Sequence, residues 1–389
     1  MELADLVRDE GALVLATLVR LTGSLDLAED AVQDALEKAL VTWPDSGIPD
    51  NPRAWLLVTA KHRAIDIMRR EARRPAKEAL VEVSDNSDNS DLLALIFMCC
   101  HPALAVEAQV ALALRTLGGL STPDVARALL LPEATVAKRL TRAKQKIRQA
   151  RIPYRVPADA DLPARLTGVA ATLYLIFNDG YTRGTPLLVG EAIRLARLLA
   201  RLMPDEPAAL GLLALLLLQD SRHDARLAPD GTLVLLRDQD RSRWDRAAIR
   251  EGVTILGTAL RRSPARPDRY AVQAAIAACH ALAPAYERTD WDAVISWYDV
   301  LLTIQDTPVV QLNRAAAIAE RDGPAAALPL LDALGSLESY PWWHATRAEL
   351  LLRLGDHRAA AEAFTRALAL ELSPPQRTHL EARRLLASG

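Results

Sequence analysis

Aromatic residues make up only 4% of this 389-residue chain. That excludes an extended stacking platform for single-stranded nucleic acid, which needs a ring for each successive base. Cysteine is scarce too: three residues, an odd number, argue against a disulfide scaffold and for a reducing cytoplasm. The net charge of −2 excludes a wholesale polyanion binder, so any nucleic-acid surface has to be local. Long apolar runs are missing. The most apolar one, Leu210–Leu218, is far too short to span a bilayer, and Met1–Glu10 alternates charge with apolar residues, unlike a signal peptide. None of the G-x-x-x-x-G-K-[ST], H-E-x-x-H, G-x-S-x-G or G-x-G-x-x-G patterns occurs, so nothing supports catalysis and no cofactor is expected.

What is present is a chain with a normal core and segregated charge. Half of it is hydrophobic and a quarter charged, and its length suits two or three domains. Lys61–Lys77 concentrates basic residues against Asp66 and Glu71, while Lys138–Arg151 contains no acid at all. Within Leu120–Arg148 the pattern is that of a helix-turn-helix: a short helix Asp124–Leu129, a turn Leu130–Pro132, and a longer helix Glu133–Arg148. On the longer helix Val136, Leu140, Ala143 and Ile147 form an apolar stripe. Glu133 opens it, and Thr135, Lys138, Arg139, Arg142 and Lys146 occupy the other face. A helix of this kind can enter a major groove, its early residues reaching base edges and its basic residues meeting phosphates.

The rest of the sequence reads as all-α. Helices are expected over Leu3–Leu21, Leu27–Thr42 (capped by Asp26) and Pro52–Arg74 (capped by Asn51). The polar, acidic Ser84–Asp91 lacks any apolar residue and reads as a disordered or extended linker. The expected domains are 1–83, a linker 84–91, 92–151, a Pro-rich linker 152–163 that holds the tail close, and a helical domain 164–389. In the tail, Ala348, Gly355, Ala360, Phe364 and Ala367 fit a tetratricopeptide unit, and Ala315, Asp322, Ala327, Leu331 and Leu334 fit a degenerate copy one repeat earlier. Such units imply an α-solenoid, with one short β-hairpin expected near 226–236 around Pro229-Asp230-Gly231.

Single residues add detail. Glu29, Asp30, Gln33, Asp34 and Glu37 form one acidic band on the second helix, which composition alone makes a solvated face. Cys99, Cys100 and His101 lack the spacing of a metal site and read as buried thiols beside a histidine; no metal is expected. Asn178, Asp179, Gly180 and Tyr181 read first as a helix C-cap with Gly180 in the left-handed region, and second as a control site. Trp55 reads as core.

AEDAVQDALEKAL (Ala28–Leu40), NPRAWLLVTAKHRAIDIMRREARR (Asn51–Arg74) and LSTPDVARALLLPEATVAKRLTRAKQKIR (Leu120–Arg148) together resemble a bacterial RNA polymerase sigma factor of the extracytoplasmic-function group. TLYLIFNDGYT (Thr172–Thr182) and DQDRSRWDR (Asp238–Arg246) resemble its subgroup with a C-terminal tetratricopeptide-like extension. The resemblance implies that Glu29, Asp30, Gln33, Asp34 and Glu37 dock on core RNA polymerase. It implies that Thr42, Lys61, His62, Arg63, Arg69, Arg70 and Arg73 meet the downstream (−10) promoter element, with the loop Thr42–Asn51 receiving an unstacked base. Glu133, Thr135, Lys138, Arg139, Arg142 and Lys146 would read the upstream (−35) element. The tail would regulate activity through a protein or small-molecule partner, and no membrane association is implied. Two positions depart from the group: His62 replaces its usual Asn, and Leu130 its usual turn Gly, which points to an altered or widened turn. The competing reading is a helix-turn-helix regulator with a tetratricopeptide sensor, independent of polymerase.

Overall fold

The computed structural model describes residues 3–71, 88–229 and 231–388, with the backbone alone at 3–9, 70, 71, 88 and 336. Among these residues the fold is all-α, and it divides into two compact units, Met1–Met203 and Pro204–Gly389. The first holds α1 (Leu3–Thr22), α2 (Leu25–Ser46), α3 (Pro52–Glu71), α4 (Asp88–Cys99), α5 (Val106–Leu112), α6 (Thr122–Ala128), α7 (Glu133–Gln149), α8 (Leu162–Arg183) and α9 (Pro186–Leu202). A π-helical turn, Ala113–Leu117, continues α5.

Helices α1, α2 and α3 pack on one another through buried Val14, Leu18, Ala28, Val32, Ala35, Leu56 and Ala60. Ser24, not Asp26, caps α2 by accepting the Leu27 N–H at 3.3 Å. Asn51 caps α3 as expected, accepting from Ala54 N at 3.0 Å. Helix α2 runs to Ser46, so Thr42 is helical and the expected loop Thr42–Asn51 shortens to its last five residues. Trp55 is half-buried, edge-on to the buried Trp43 at 5.4 Å.

The expected linker is corrected over its second half. Positions 84–87 lie outside the described residues, but Asp88–Asp91 forms the first turn of α4. Asp91 is buried, accepts from Arg20 Nε at 2.8 Å, and its carbonyl accepts from the Tyr154 hydroxyl at 2.8 Å. The same hydroxyl donates to Ala16 O at 2.6 Å. Tyr154 thus ties the segment after α7 to both α1 and α4, and burial, reinforced by the Asp91 charge, pushes its phenol well above the ordinary range. The expected boundary at 152–163 shifts as well. Helices α8 and α9 pack on α4 and α5, with Arg165 donating to Phe97 O at 2.6 Å, Thr172 to Gln109 Oε1 at 2.8 Å and Arg194 to Leu117 O at 2.7 Å.

The second unit holds α10 (Pro207–Asp220), α11 (Arg246–Arg262), α12 (Arg269–Leu282), α13 (Trp291–Ile304), α14 (Pro308–Arg321), α15 (Pro324–Asp332), α16 (Pro341–Arg353), α17 (His357–Leu368) and α18 (Pro374–Ser388). Each helix packs on the next in sequence, a solenoid-like stack whose core comes from neighbours. Every apolar position singled out in the stronger repeat, Ala348, Ala360, Phe364 and Ala367, is fully buried. In the degenerate copy Ala315, Ala327 and Leu331 are buried, but the left-handed turn falls on Gly323, one residue past Asp322. The hairpin near 226–236 reduces to one antiparallel bridge, Leu227 to Leu233, beside a Val234 N to Arg226 O bond of 2.8 Å. The DQDRSRWDR segment is structural. Asp245 caps α11, while Arg241 donates to His280 O and Ala283 O at the end of α12 and lies over the Trp244 ring.

Candidate nucleic-acid interface

Two helices carry the site. Ser121 caps α6, accepting the Asp124 N–H at 3.2 Å, and α6 closes with Leu131 N bonding Ala126 O at 2.9 Å. That closure is a Schellman turn, which needs one left-handed residue; Leu130 supplies it at φ 53° with its side chain exposed. The turn is therefore kept at its ordinary width, and Leu bears the strain that the sequence assigned to an altered turn. On α7 the stripe Val136, Leu140, Ala143 and Ile147 is buried, each of the larger side chains stabilising the motif by about 1.5–3 kcal/mol.

Burial of that stripe leaves two polar faces. Glu133, Thr135, Lys138, Arg142 and Lys146 are exposed and Arg139 half-buried. Thr135, Lys138, Arg139, Arg142 and Lys146 line a groove of about 890 Å³ opposite Ala103, Leu104 and Glu107. The second face turns to α2. Lys144 Nζ lies 2.6 Å from Glu29 and 3.2 Å from Asp26, and Arg148 also pairs with Asp26. Burial alone would lower the Lys144 ammonium, but Glu29 and Asp26 outweigh it and hold it above the usual lysine value. Thr116 adds a 2.9 Å hydrogen bond to Glu29, which keeps only 10% of its side-chain surface. A cavity of about 520 Å³ opens beside this bridge, between Val32, Gln33 and Leu36 on α2 and Arg115 and Pro123 before and on α6.

The comparisons with known proteins agree with this geometry. Residues 6–74 match Sigma-70 region 2, residues 94–147 match Sigma-70 region 4, and residues 165–260 match a family of unknown function, DUF6596. An uncharacterized protein of Rhizobium meliloti (strain 1021) is 42% identical over 387 residues, covering 94% of this chain and 91% of its own. The two sigma-70 domains indicate an RNA polymerase sigma factor. Its region 2 and region 4 domains bind RNA polymerase and promoters. The crystal structure of yeast Tom70 matches 93% of the factor and 80% of itself at a TM-score of 0.39 and 10% identity, too slight a likeness to carry an inference. Among the described residues, no helix of the factor is long and apolar enough to cross a membrane.

The acidic band on α2 divides. Asp30, Gln33 and Glu37 are exposed, with Gln33 donating to Glu37 at 3.0 Å. Glu29 instead belongs to the bridge with α7, and Asp34 pairs with Arg63 of α3. Arg63 therefore serves the packing of α2 on α3 and leaves the basic face of α3. On that face His62 and Arg69 are exposed, Lys61 is half-buried, and Thr42 is exposed on the last turns of α2. The Arg70 side chain and Arg73 lie outside the described residues. Lys144 and Arg148 were missed as bridge residues: their charge was visible, but their partner is a distant segment that no periodicity reveals.

The Asn178–Tyr181 reading is corrected. Helix α8 runs through it to Arg183, and the left-handed cap is Gly184 at φ 68°. Gly180 is helical and buried because α9 crosses it; an added Cβ would sit 2.6 Å from the Leu188 Cβ. Tyr181 stacks on Phe177 at 5.3 Å. Asp179 pairs with Arg183 at 2.9 Å, and Arg183 donates to Leu129 O at 3.3 Å in the helix-turn-helix turn. Burial raises the Asp179 carboxyl, opposed by Arg183. Cys99 and Cys100 are buried thiols, the latter pushed up to about 12 by burial.

Proposed function

We propose that this sigma factor is of the extracytoplasmic-function type and that its C-terminal helices, a tetratricopeptide-like stack, regulate its activity. The exposed face of α7 (Glu133, Thr135, Lys138, Arg139, Arg142 and Lys146) reads the upstream promoter element. His62, Arg69 and Lys61 on α3, with Thr42, meet the downstream element. Asp30, Gln33 and Glu37 on α2 dock on core polymerase, and the factor works in the cytoplasm as a binding subunit, not as an enzyme. The observation that carries this reading is the division of α7: a buried apolar stripe beneath a basic face that lines an open groove. That arrangement suits a helix presented to duplex DNA.

In the free factor Asp26 and Glu29 hold the second polar face of α7. Docking of α2 on polymerase frees region 4 to move to its own promoter element. The tail acts positively, because α8 and α9 support region 4 directly. Reconstituted transcription with core polymerase tests all of this. Full-length factor is expected to direct a promoter-specific transcript, and a chain ending after Met203 to direct less of it. A factor that yields no promoter-dependent transcript but binds duplex sites as a dimer would be a polymerase-independent regulator instead.

A further inference from the structure

The basic face of α7 is one wall of the groove of about 890 Å³, and the loop 103–105 with the start of α5 is the other. That second wall is held from behind. Gln109 of α5 is buried, and its amide donates to Leu104 O at 2.9 Å and to His101 O at 3.2 Å. Those two bonds use both N–H groups of the amide, which fixes its orientation and leaves Oε1 to accept. The donor is the hydroxyl of Thr172 on α8, at 2.8 Å. Thr172 opens the segment TLYLIFNDGYT and is buried as well; its hydroxyl also lies 3.0 Å from Gly168 O and meets the Cys100 thiol.

The next tail helix braces the other support of α7. Arg194 of α9 donates to Leu117 O at 2.7 Å, at the end of the π-helical turn that leads towards α6. Glu191 fixes that guanidinium: it keeps 3% of its side-chain surface and accepts from Arg194 Nε and Nη2 at 2.7–3.1 Å. The fit is close, because a Cβ added at Gly118 would sit 2.9 Å from Glu191 Oε1. Helix α7 packs on α5 and on α6, so the tail bonds the structure on either side of it.

We propose that Thr172 and Gln109 are positioning residues for promoter recognition. Both are buried and touch no DNA. They act through Leu104, keeping the loop 103–105 at the distance from α7 that leaves Thr135, Lys138 and Arg139 open to base edges. Without the Thr172 donor, Gln109 Oε1 is a buried acceptor left unsatisfied. The amide then turns to find another donor and takes its bonds to Leu104 and His101 with it. The inference deepens the reading of α7 as the promoter-reading helix and rests on it. It gives the first helices of the DUF6596 segment a role, that of completing region 4 from behind.

Full-length factor with core polymerase, titrated on two duplexes, tests the assignment. One duplex is a promoter that the wild-type factor selects from a randomised pool, and the other is the same promoter with its upstream element scrambled. Thr172→Val removes the hydroxyl and keeps the branched shape. It is expected to weaken binding to the selected promoter about tenfold, the worth of one good base contact, and to leave the scrambled one unchanged. Thr172→Ser keeps the hydroxyl and is expected to bind both duplexes as wild type does. Binding is read below the thermal midpoint of every protein, and Thr172→Ala replaces Thr172→Val if the latter melts too low. Arg142→Ala is the reference for α7 itself. A loss with Arg142→Ala but none with Thr172→Val overturns the positioning role and leaves the promoter reading standing. No loss with either overturns both. Equal weakening of the two duplexes by Thr172→Val overturns the positioning role, and so does Thr172→Ser binding as weakly as Thr172→Val.

Discussion

The parts of the two compact units are joined differently. In the C-terminal unit each helix packs on its sequence neighbour around a core that is mostly Ala and Leu, and polar bonds such as Arg241 to His280 O are added to that stack. In the N-terminal unit, polar bonds between segments far apart in sequence stitch the parts: Arg20 to Asp91, Lys144 to Glu29, Tyr154 to Ala16. Nearest-neighbour packing gives a stack whose parts stand or fall locally. Long-range polar stitching with a cavity beside it gives an arrangement that a partner can open at its exposed end, because water and partner groups can replace the Asp26 pairs with Arg148 and Lys144. The N-terminal unit also carries the faces proposed to read the promoter, so on that proposal the part that rearranges is the part joined by replaceable contacts.

The largest effect comes from moving the border between the units. A chain ending after Arg155 loses α8, whose Leu166, Val169, Leu173, Ile176 and Phe177 are each exposed by 2% or less. At about 1.5–3 kcal/mol per side chain this rivals the net stability of a whole domain. That chain is expected to aggregate or lose its cooperative melt, whereas one ending after Met203 keeps it. Circular dichroism melts of the two truncated chains decide the matter. Equal melts would return the border to 152–163.

Acid separates the units next. Burial, with the Arg222 and Arg241 charges, lowers the His280 pKa from 6.5 to about 4, so the folded C-terminal unit keeps it neutral while the unfolded chain protonates. A depressed histidine contributes stability above its unfolded pKa and loses it as pH falls towards 4, here by about 3 kcal/mol at most. Elsewhere in the same unit the Asp220 and Asp268 carboxyls are raised by burial and oppose that slope, so the difference between wild type and His280→Asn is the quantity to read. Denaturant midpoints at successive pH values are expected to diverge between the two proteins above pH 4. Parallel profiles would remove His280 as the cause.

The smallest effect sits in the helix-turn-helix. Leu130 at φ 53° pays the left-handed penalty that Gly avoids, so Leu130→Gly is expected to stabilise the N-terminal unit by about 1 kcal/mol. Its side chain is 69% exposed, so little packing is lost. A lowered melting temperature would mean that Leu130 makes contacts that outweigh its strain.

This contrast also explains what the sequence made legible. The stripe Val136, Leu140, Ala143 and Ile147 and the Asn51 cap follow local rules, and they stand where the pattern put them. The repeat positions around Phe364 are legible for the same reason, since neighbours bury them. The Asp26–Lys144 bridge is not, because it joins segments whose proximity no periodicity encodes. That the tail stays close was legible in the short Pro-rich segment 152–163, but the place of the border after α9 was not. Polar composition misled at Asp88–Asp91, where an acidic run opens a helix once Arg20 takes Asp91. Gly180 misled likewise: a glycine after a polar pair reads as a helix end, yet here it admits a crossing helix.

The claim on which the account turns is that α7 has one face for DNA and another for α2. Binding of core polymerase plus factor to promoter DNA, measured by footprinting, tests it directly. Arg142→Ala is expected to weaken the promoter complex by about 1–3 kcal/mol, while Lys144→Ala leaves it unchanged or tightens it by releasing region 4 from Asp26 and Glu29. Loss of the footprint with Lys144→Ala, together with an unaffected Arg142→Ala complex, would contradict the assignment of the two faces.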